Sequence, residues 1–346
     1  MKHRWTLIGC GTVGQGLLEI LRERGDDLPR RHGVEFVLVG VSDMRLGSAE
    51  DPRGLDLGAV LEAAQKGSFQ GLPGSDRRCG AQEILAQADA DVMAEATYTN
   101  LETGEPALSH VRMALELGRS VVTTNKGPVA LAYAELQELA ASQGVFLRFE
   151  GTVMSGTPVL SLAQRDLAGD RILEIRGILN GTTNYILTQM EQGETYAKAL
   201  AEAQRLGYAE AKPESDVEGV DAQAKVMILS AALLGHPLKA TEVPRQGITD
   251  MTAEQIEAAK ADGKRYKLLG TVRRSASGVE ASVGPVALDL GDPLAGIGGV
   301  MNAIHFRTEL LGSLTVVGPG AGKRETGFSL LSDLLSVHRD VRAGGR

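Results

Sequence analysis

The stretch that decides the fold is residues 5–14, WTLIGCGTVG. A short apolar run of strand type leads directly into a glycine loop of the form G-x-G-x-x-G, and a helical pattern follows it. In such a loop the first glycine permits a tight turn, the second lets the backbone approach a pyrophosphate, and the third lets the helix pack on the strand. The loop predicts a dinucleotide site that uses three glycines and two helix-start N–H groups. These residues are Gly9, Gly11, Gly14, Thr12 and Val13.

The rest of the first half alternates strand-type and helical patterns. The strand-type runs are residues 36–41, 91–97, 120–124 and 145–150, and the helical patterns are residues 105–117 and 128–142. Strands that alternate with helices of this length indicate βαβ units and a parallel sheet. We therefore predict an α/β domain with a doubly wound, Rossmann-type parallel sheet.

Asp43 closes the strand-type run that begins at residue 36, the second of the chain after residues 5–8, where an acidic residue usually accepts a hydrogen bond from the adenosine ribose. It lies 29 residues beyond Gly14, further than the usual ~20. A carboxylate at this position favours NAD, whereas Arg45 two residues later could meet the 2′-phosphate of NADP. The pattern predicts NAD(P) and leaves the choice between the two cofactors open.

After Gly151 the rhythm changes. One strand-type run is followed by three helical patterns and then by four more strand-type runs. The strand-type runs are residues 172–179, 267–272, 279–283, 301–307 and 314–317, and the helical patterns are 182–191, 195–206 and 217–234. Strands without intervening helices favour a mixed or antiparallel sheet, so we predict an α+β second domain.

Two segments of this second half are dense in polar groups. Residues 177–187, GILNGTTNYIL, crowd hydroxyls and amides at one helix start, where they can cap the helix or hold a small polar ligand. In residues 207–225, Asp221 and Lys225 are spaced i, i+4 and share a helix face. On an exposed helix this pair would contribute only ~0.3–0.5 kcal/mol. In a desolvated cleft the lysine would be a positioned proton donor. Spacing alone favours the exposed pair.

Composition bounds the remaining function classes. The 346 residues predict about two domains, and a net charge of −8 argues against a nucleic-acid partner. Two cysteines, Cys10 and Cys79, cannot form a disulfide framework or a four-ligand zinc site. Neither a secretory signal nor an apolar run of membrane-spanning length is present in the sequence. We expect a cytoplasmic protein that acts on a small molecule, with no membrane partner.

Five motifs together resemble the homoserine dehydrogenase family, along most of the chain. They are G-x-G-x-x-G at 9–14, TTNKGP at 123–128, EGTVMSGTP at 150–158, GILNGTTNYIL at 177–187, and G-Y-A…P-x-x-D-V-x-G-x-D-x-x-x-K at 207–225. The resemblance implies reversible reduction of L-aspartate 4-semialdehyde to L-homoserine with NADH or NADPH. The alternatives are a dinucleotide-sensing binding protein without turnover, or another NAD(P)-dependent dehydrogenase of a small amino or hydroxy acid.

The resemblance also implies roles for single residues. Lys225 would be the general acid, and Lys126 would lie beside the nicotinamide and stabilise negative charge. The substrate would meet Glu210, Asp221, Asn180, Gly181 and Thr182, and the cofactor would also meet Thr97, Lys126 and Gly322. A monovalent cation, Na⁺ or K⁺, would be held mostly by backbone carbonyls of Glu150, Val153, Ser155 and Thr157.

The resemblance finally implies an architecture. Residues 1–150 together with 318–346 would form the dinucleotide-binding domain, and residues 151–317 the substrate-binding and dimerisation domain. A homodimer is expected. Because the sequence lacks the C-terminal regulatory extension of longer relatives, we expect the short form of the family.

Overall fold

The computed structural model describes residues 1–75 and 79–344. The chain divides into two compact units. The first unit is Met1–Gly156 with Gly322–Arg346, and the second is Thr157–Ala321. Residues 345 and 346, at the end of the expected dinucleotide-binding domain, lie outside the described residues.

The first unit is built on a six-stranded sheet. Its strands are β1 Lys2–Ile8, β2 Glu35–Asp43, β3 Gly47–Glu50, β4 Val92–Glu95, β5 Ser120–Thr123 and β6 Leu147–Arg148. They are ordered β3-β2-β1-β4-β5-β6, and all pairs are parallel except β2 with β3. The predicted doubly wound sheet is confirmed. The strand order reverses between β1 and β4, which is where open α/β sheets bind their ligands.

Within residues 1–75 and 79–156, the described part of the first unit before the second begins, the chain forms six α-helices. They are α1 Thr12–Arg24, α2 Asp27–His32, α3 Leu57–Gln65, α4 Ala81–Gln87, α5 Ala107–Glu116 and α6 Lys126–Gln143. Helix α6 begins where the Asn125 side chain accepts a hydrogen bond from the Gly127 N–H, and it ends at Gly144, whose φ of 66° is left-handed. The cap and the glycine are ordinary start and stop signals.

The second unit packs helices on a five-stranded sheet. Its elements are β7 Ile172–Ile178, α7 Gly181–Glu191, α8 Tyr196–Arg205, α9 Glu214–Val217, α10 Val220–Leu234, α11 Ala253–Ala261, β8 Lys264–Ser275, β9 Gly278–Asp289, β10 Met301–Thr308 and β11 Ser313–Pro319. The order is β11-β10-β7-β8-β9, and every pair is antiparallel. This confirms the antiparallel alternative. The helix predicted over 217–234 is interrupted, because Gly219 has a left-handed φ of 75° and separates α9 from α10.

The last helix, α12 Lys323–Arg342, belongs to the first unit and packs on α1. A Cβ on Gly16 would lie 2.3 Å from the Lys323 carbonyl oxygen, and one on Gly327 would lie 2.6 Å from the Gly16 backbone. The two helices therefore approach closely because each has a glycine at their contact. Leu330, Leu334 and other apolar residues of α12 complete the buried cluster that contains Trp5 and Leu17.

None of the helices in the described parts of the chain combines the length and apolar character that crossing a membrane requires.

Candidate active site

A cavity of about 680 Å³ in the first unit lies at the carboxyl ends of β1, β2 and β4. Predicted cofactor residues from all three strand ends line it: Gly9, Gly11, Asp43 and Thr97. Gly11 borders open space, since a Cβ there would meet no heavy atom within 4 Å. Gly14 has a packing role, because its Cβ would lie 2.3 Å from the Gly9 carbonyl oxygen. Thr12 and Val13 open α1, where N–H groups have no intrahelical acceptor.

The Asp43 carboxylate organises the wall of this cavity. Its Oδ2 accepts a hydrogen bond from the Cys10 N–H at 2.9 Å, and its Oδ1 accepts from the N–H groups of Arg45 at 2.8 Å and Leu46 at 3.2 Å. It therefore ties the glycine loop to the turn after β2. A carboxylate has about four acceptor sites, so a ribose hydroxyl can still be accommodated. The fastening of the loop was not apparent from the sequence.

Three further residues stand around this end of the first unit. Lys126 is the first residue of α6 and half-buried, and Gly322 precedes α12 with a φ of 143°. Neither of them borders the cavity in the described part of the chain. His110 of α5 does border it, and burial lowers the pKa of its imidazole.

In the second unit, Lys225 and Asp221 form a buried ion pair. The Lys225 Nζ lies 2.7 Å from Asp221 Oδ2 and donates to the Leu179 carbonyl oxygen at 2.6 Å. The side chains are only 9% and 13% exposed. The prediction of an exposed ion pair, which spacing alone favours, is therefore wrong. The pair is desolvated because α10 presents this face to the carboxyl end of β7.

Asn180 connects this pair to a second carboxylate. Its Oδ1 caps α7 by accepting from the Thr183 N–H, and its Nδ2 donates to Asp216 Oδ1 at 2.7 Å and to Asp221 Oδ2 at 3.1 Å. Burial raises the pKa of Asp216, and the nearby Asp221 charge raises it further, while the bond from Asn180 lowers it. Asp216 is a site residue that the sequence analysis did not select, although it is the first aspartate of the P-x-x-D-V-x-G-x-D motif.

The other predicted substrate residues are placed unequally. Gly181 packs against the backbone, since a Cβ there would lie 2.7 Å from the Val300 carbonyl oxygen. Thr182 Oγ1 donates to the Tyr208 carbonyl oxygen at 2.6 Å. Glu210 is exposed on the irregular segment before α9, and among the described residues its carboxylate is absent from the hydrogen bonds around Lys225.

The segment expected to hold a cation has an unusual backbone. A 3₁₀ turn, Glu150–Thr152, is followed by Val153 and then by Met154 and Ser155, whose φ values of 57° and 52° are left-handed. The Glu150 N–H donates to Asp333 Oδ2 at 2.9 Å, and Ser155 Oγ lies 2.7 Å from Thr326 Oγ1. Thr157 begins the second unit, where its Oγ1 donates to the Pro319 carbonyl oxygen. Within the described residues, no cluster of three His, Cys, Asp or Glu side chains could ligate a metal.

Comparison with known proteins gives matches across both units. The family model described as homoserine dehydrogenase, NAD binding domain, matches residues 9–150, and the one described as homoserine dehydrogenase matches residues 158–335. The NAD(+)-dependent homoserine dehydrogenase of Pseudomonas canavaninivorans is 45% identical over 98% of this chain and 97% of its own length.

Solved structures agree with these matches. The homoserine dehydrogenase of Thiobacillus denitrificans superposes with a TM-score of 0.86 at 33% identity, and the match covers 99% of this chain and 74% of that one. A hyperthermophilic archaeal homoserine dehydrogenase in complex with NADPH gives a TM-score of 0.84 at 31% identity, with 98% of each chain covered.

Proposed function

The chain belongs to the homoserine dehydrogenase family, and from this premise we propose how its residues perform the reaction. It catalyses the reversible NAD(P)-dependent reduction of L-aspartate 4-semialdehyde to L-homoserine. The buried Lys225–Asp221 pair, joined by Asn180 to Asp216, is the observation that carries the proposal. The nicotinamide, when bound, supplies the hydride that the aldehyde carbon accepts.

Lys225 supplies the proton in this proposal. An ammonium has three N–H donors, and two of them point to the Leu179 carbonyl oxygen and Asp221 Oδ2. The third can donate to the aldehyde oxygen and protonate it as negative charge develops there. In the reverse direction the neutral amine accepts the proton of the homoserine hydroxyl. Asp221 and the carbonyl hold Nζ in one place, which is what a general acid requires.

The substrate's ammonium group fits the acidic surroundings of Lys225. Asp216 and Asp221 both accept hydrogen bonds from the Asn180 amide, and Glu210 is exposed on the segment before α9. We assign Glu210 to the substrate's ammonium group with these two carboxylates. The α7 start at Gly181 and Thr182 would fix the other end of the substrate. Lys126, at the start of α6, would stabilise negative charge on the reacting oxygen.

The first unit's cavity fits a dinucleotide. Gly11 leaves space for a pyrophosphate, Thr12 and Val13 begin a helix, and Asp43 stands at the end of β2. Thr97 would line the bound cofactor, and Gly322 would approach it. We infer a preference for NAD, because the Asp43 carboxylate would repel a 2′-phosphate.

The test of the activity is direct. Purified protein with L-homoserine at alkaline pH should reduce NAD or NADP, followed by absorbance at 340 nm in buffers containing sodium or potassium. Absence of reduction with either nucleotide, while NADH still binds, would favour a sensing protein without turnover.

A monovalent cation is a further part of the proposal. Left-handed φ values at Met154 and Ser155 turn successive peptide groups of this segment, and conformations of this kind cost about 1–3 kcal/mol per residue. Carbonyls of Glu150 and Val153, with Ser155 and Thr157, would hold Na⁺ or K⁺. Activity should therefore rise when either ion is added to protein dialysed into a tetramethylammonium buffer.

A homodimer through the second unit is also proposed. The turn before β11 exposes Leu310 and Leu311, and β11 exposes Val317 at the edge of its sheet. Apolar side chains on a sheet edge favour association. Analytical ultracentrifugation at micromolar concentration should give a dimer, and a monomer would contradict the proposal.

A further inference from the structure

Glu95, the last residue of β4, is a carboxylate that the reaction described above does not use. It is fully buried at the carboxyl end of the central strands of the first sheet. Burial of a charged group without compensation is costly, so a carboxylate at such a position requires an explanation.

The compensation comes from the loop after β4 and from the last residue of β5. Glu95 Oε1 accepts hydrogen bonds from the Thr97 N–H at 2.9 Å and from Thr97 Oγ1. Its Oε2 accepts from Thr123 Oγ1 at 2.9 Å. One side chain therefore fastens the loop after β4 to the end of β5.

The network extends from Thr123 into the start of α6. The Asn125 N–H donates to Thr123 Oγ1 at 3.0 Å, and Asn125 Nδ2 donates to the Tyr98 carbonyl oxygen at 2.9 Å. Asn125 is also the residue that caps α6, whose first residue is Lys126. Thr97 and Tyr98 line the dinucleotide cavity, so the cavity wall and the helix start share one set of hydrogen bonds.

We propose that Glu95 is a positioning residue for the cofactor: its carboxylate holds the Thr97–Tyr98 wall of the cavity and, through Thr123 and Asn125, the start of α6. The inference rests on the proposed function, because it assigns Thr97 and Lys126 to the cofactor. Thr97 and Thr123 both donate to Glu95, which suits an ionised, acceptor-only group. Burial raises the pKa of the Glu95 carboxyl, and the hydrogen bonds from Thr97 and Thr123 oppose that rise.

The test uses Glu95→Gln, which keeps the shape and replaces one acceptor by a donor amide. The amide would face the hydroxyl or N–H donors of Thr97 and Thr123. Loss of a hydrogen bond to a charged group weakens an interaction about 10- to 100-fold. We expect the dissociation constant of NADH, measured by fluorescence titration, to rise at least about tenfold. We expect kcat to fall by a similar factor while the KM of homoserine changes little.

Two more variants keep the proposal falsifiable. Thr123→Val removes the donor to Oε2 together with the acceptor of the Asn125 N–H, both of them bonds of the proposed network. It leaves the Glu95 carboxylate and its bonds from Thr97 in place, so we expect it to weaken NADH about threefold, which provides a test if Glu95→Gln does not fold. Because both changes break the same bond, the double variant should lose less than the product of the two single losses. Asp51→Asn is the matched control, since Asp51 is a buried carboxylate of the same unit that pairs with Arg53 and does not line the cavity.

The outcomes separate cleanly. The proposal is overturned if Glu95→Gln or Thr123→Val folds and binds NADH with wild-type affinity. It is also overturned if these variants lose only thermal stability, and lose as much of it as Asp51→Asn does. The titration needs no turnover. If the wild-type protein binds NADH but does not oxidise homoserine, the proposed function is contradicted. The role of Glu95 is then still decided by comparing the NADH affinities of the variants with that of the wild type.

Discussion

The two units prepare their ligand sites in opposite ways. In the first, the glycine loop works through absent side chains: Gly11 leaves open space, and Gly14 lets α1 approach the Gly9 carbonyl. In the second, Lys225, Asp221 and their partners work through side chains that are buried and hydrogen-bonded to one another. A backbone site is therefore damaged by adding atoms, and a side-chain site by removing them.

The largest effect should come from removing the ammonium in the second unit. Lys225→Met should lower kcat about 10²- to 10⁴-fold, the usual contribution of a general acid, and leave NADH affinity unchanged. Steady-state kinetics and NADH titration measure the two quantities. Lys267→Met is the control, because Lys267 is even more deeply buried in this unit but its Nζ lies 3.9 Å from Glu191 Oε1, beyond hydrogen-bond length. If both variants lose kcat equally, a buried lysine as such is what matters and the assignment is wrong.

Adding one methyl group tests the first unit. A Cβ at Gly14 would lie 2.3 Å from the Gly9 carbonyl oxygen, so Gly14→Ala must displace backbone and should cost about 1–3 kcal/mol of unfolding free energy. Gly11→Ala meets no heavy atom within 4 Å and should fold normally, with weaker NADH binding because its methyl group enters the cavity. Thermal denaturation and NADH titration compare the pair. Equal melting temperatures for the two variants would contradict this division of roles between the glycines.

Asp43 contributes its side chain to the backbone site of the first unit, since its carboxylate lines the cavity and accepts a hydrogen bond from the Cys10 N–H. Asp43→Asn should weaken NAD about tenfold more than NADP, since the variant loses a charge-assisted bond to the ribose and also the repulsion of a 2′-phosphate. The ratio of the two dissociation constants is the measurement. A variant that weakens NAD and NADP equally would restrict Asp43 to holding the backbone N–H groups of Cys10, Arg45 and Leu46.

The smallest effect is a pH dependence confined to the first unit. His3 Nε2 lies 3.0 Å from His338 Nδ1, and His338 Nε2 lies 3.1 Å from the His32 carbonyl oxygen. Burial is the main cause that lowers the pKa of both His3 and His338. The unfolded chain, with a histidine pKa of about 6.5, then binds more protons as the pH falls, so the unfolding free energy should decline below that pH. Urea denaturation at pH 7.5 and 5.5 should show a smaller decline of the unfolding free energy in the double variant His3→Gln/His338→Gln than in the wild type. An equal decline in the two proteins would exclude this histidine pair as the cause of the pH dependence.

Local patterns were predictable, and contacts between distant segments were not. The glycine loop is contiguous, so the strand, the loop and α1 follow from residues 5–24. The strand β3, GSAE, contains no apolar run from which a strand could be predicted. The apolar pattern of residues 217–234 is continuous and predicts one helix, but Gly219 divides it into two. Asp216 and Glu95 are identified as site residues only by their hydrogen bonds, which come from Asn180 and Thr123 and join segments distant in the sequence. Lys225 and Asp221 could be paired by spacing, but their burial depends on packing that spacing does not encode.

The position of α12 has a consequence for how the protein is made. Leu330, Leu331, Leu334 and Val337 belong to the same buried cluster as Trp5 and Leu17, yet a ribosome synthesises them only after residues 157–321. During translation the first unit lacks this apolar layer until residues 157–321 have been made. The buried cluster around Trp5 and Leu17 therefore stays incomplete while the second unit is synthesised, and the dinucleotide unit, although it begins the sequence, is expected to complete its core only after residues 157–321 have been made.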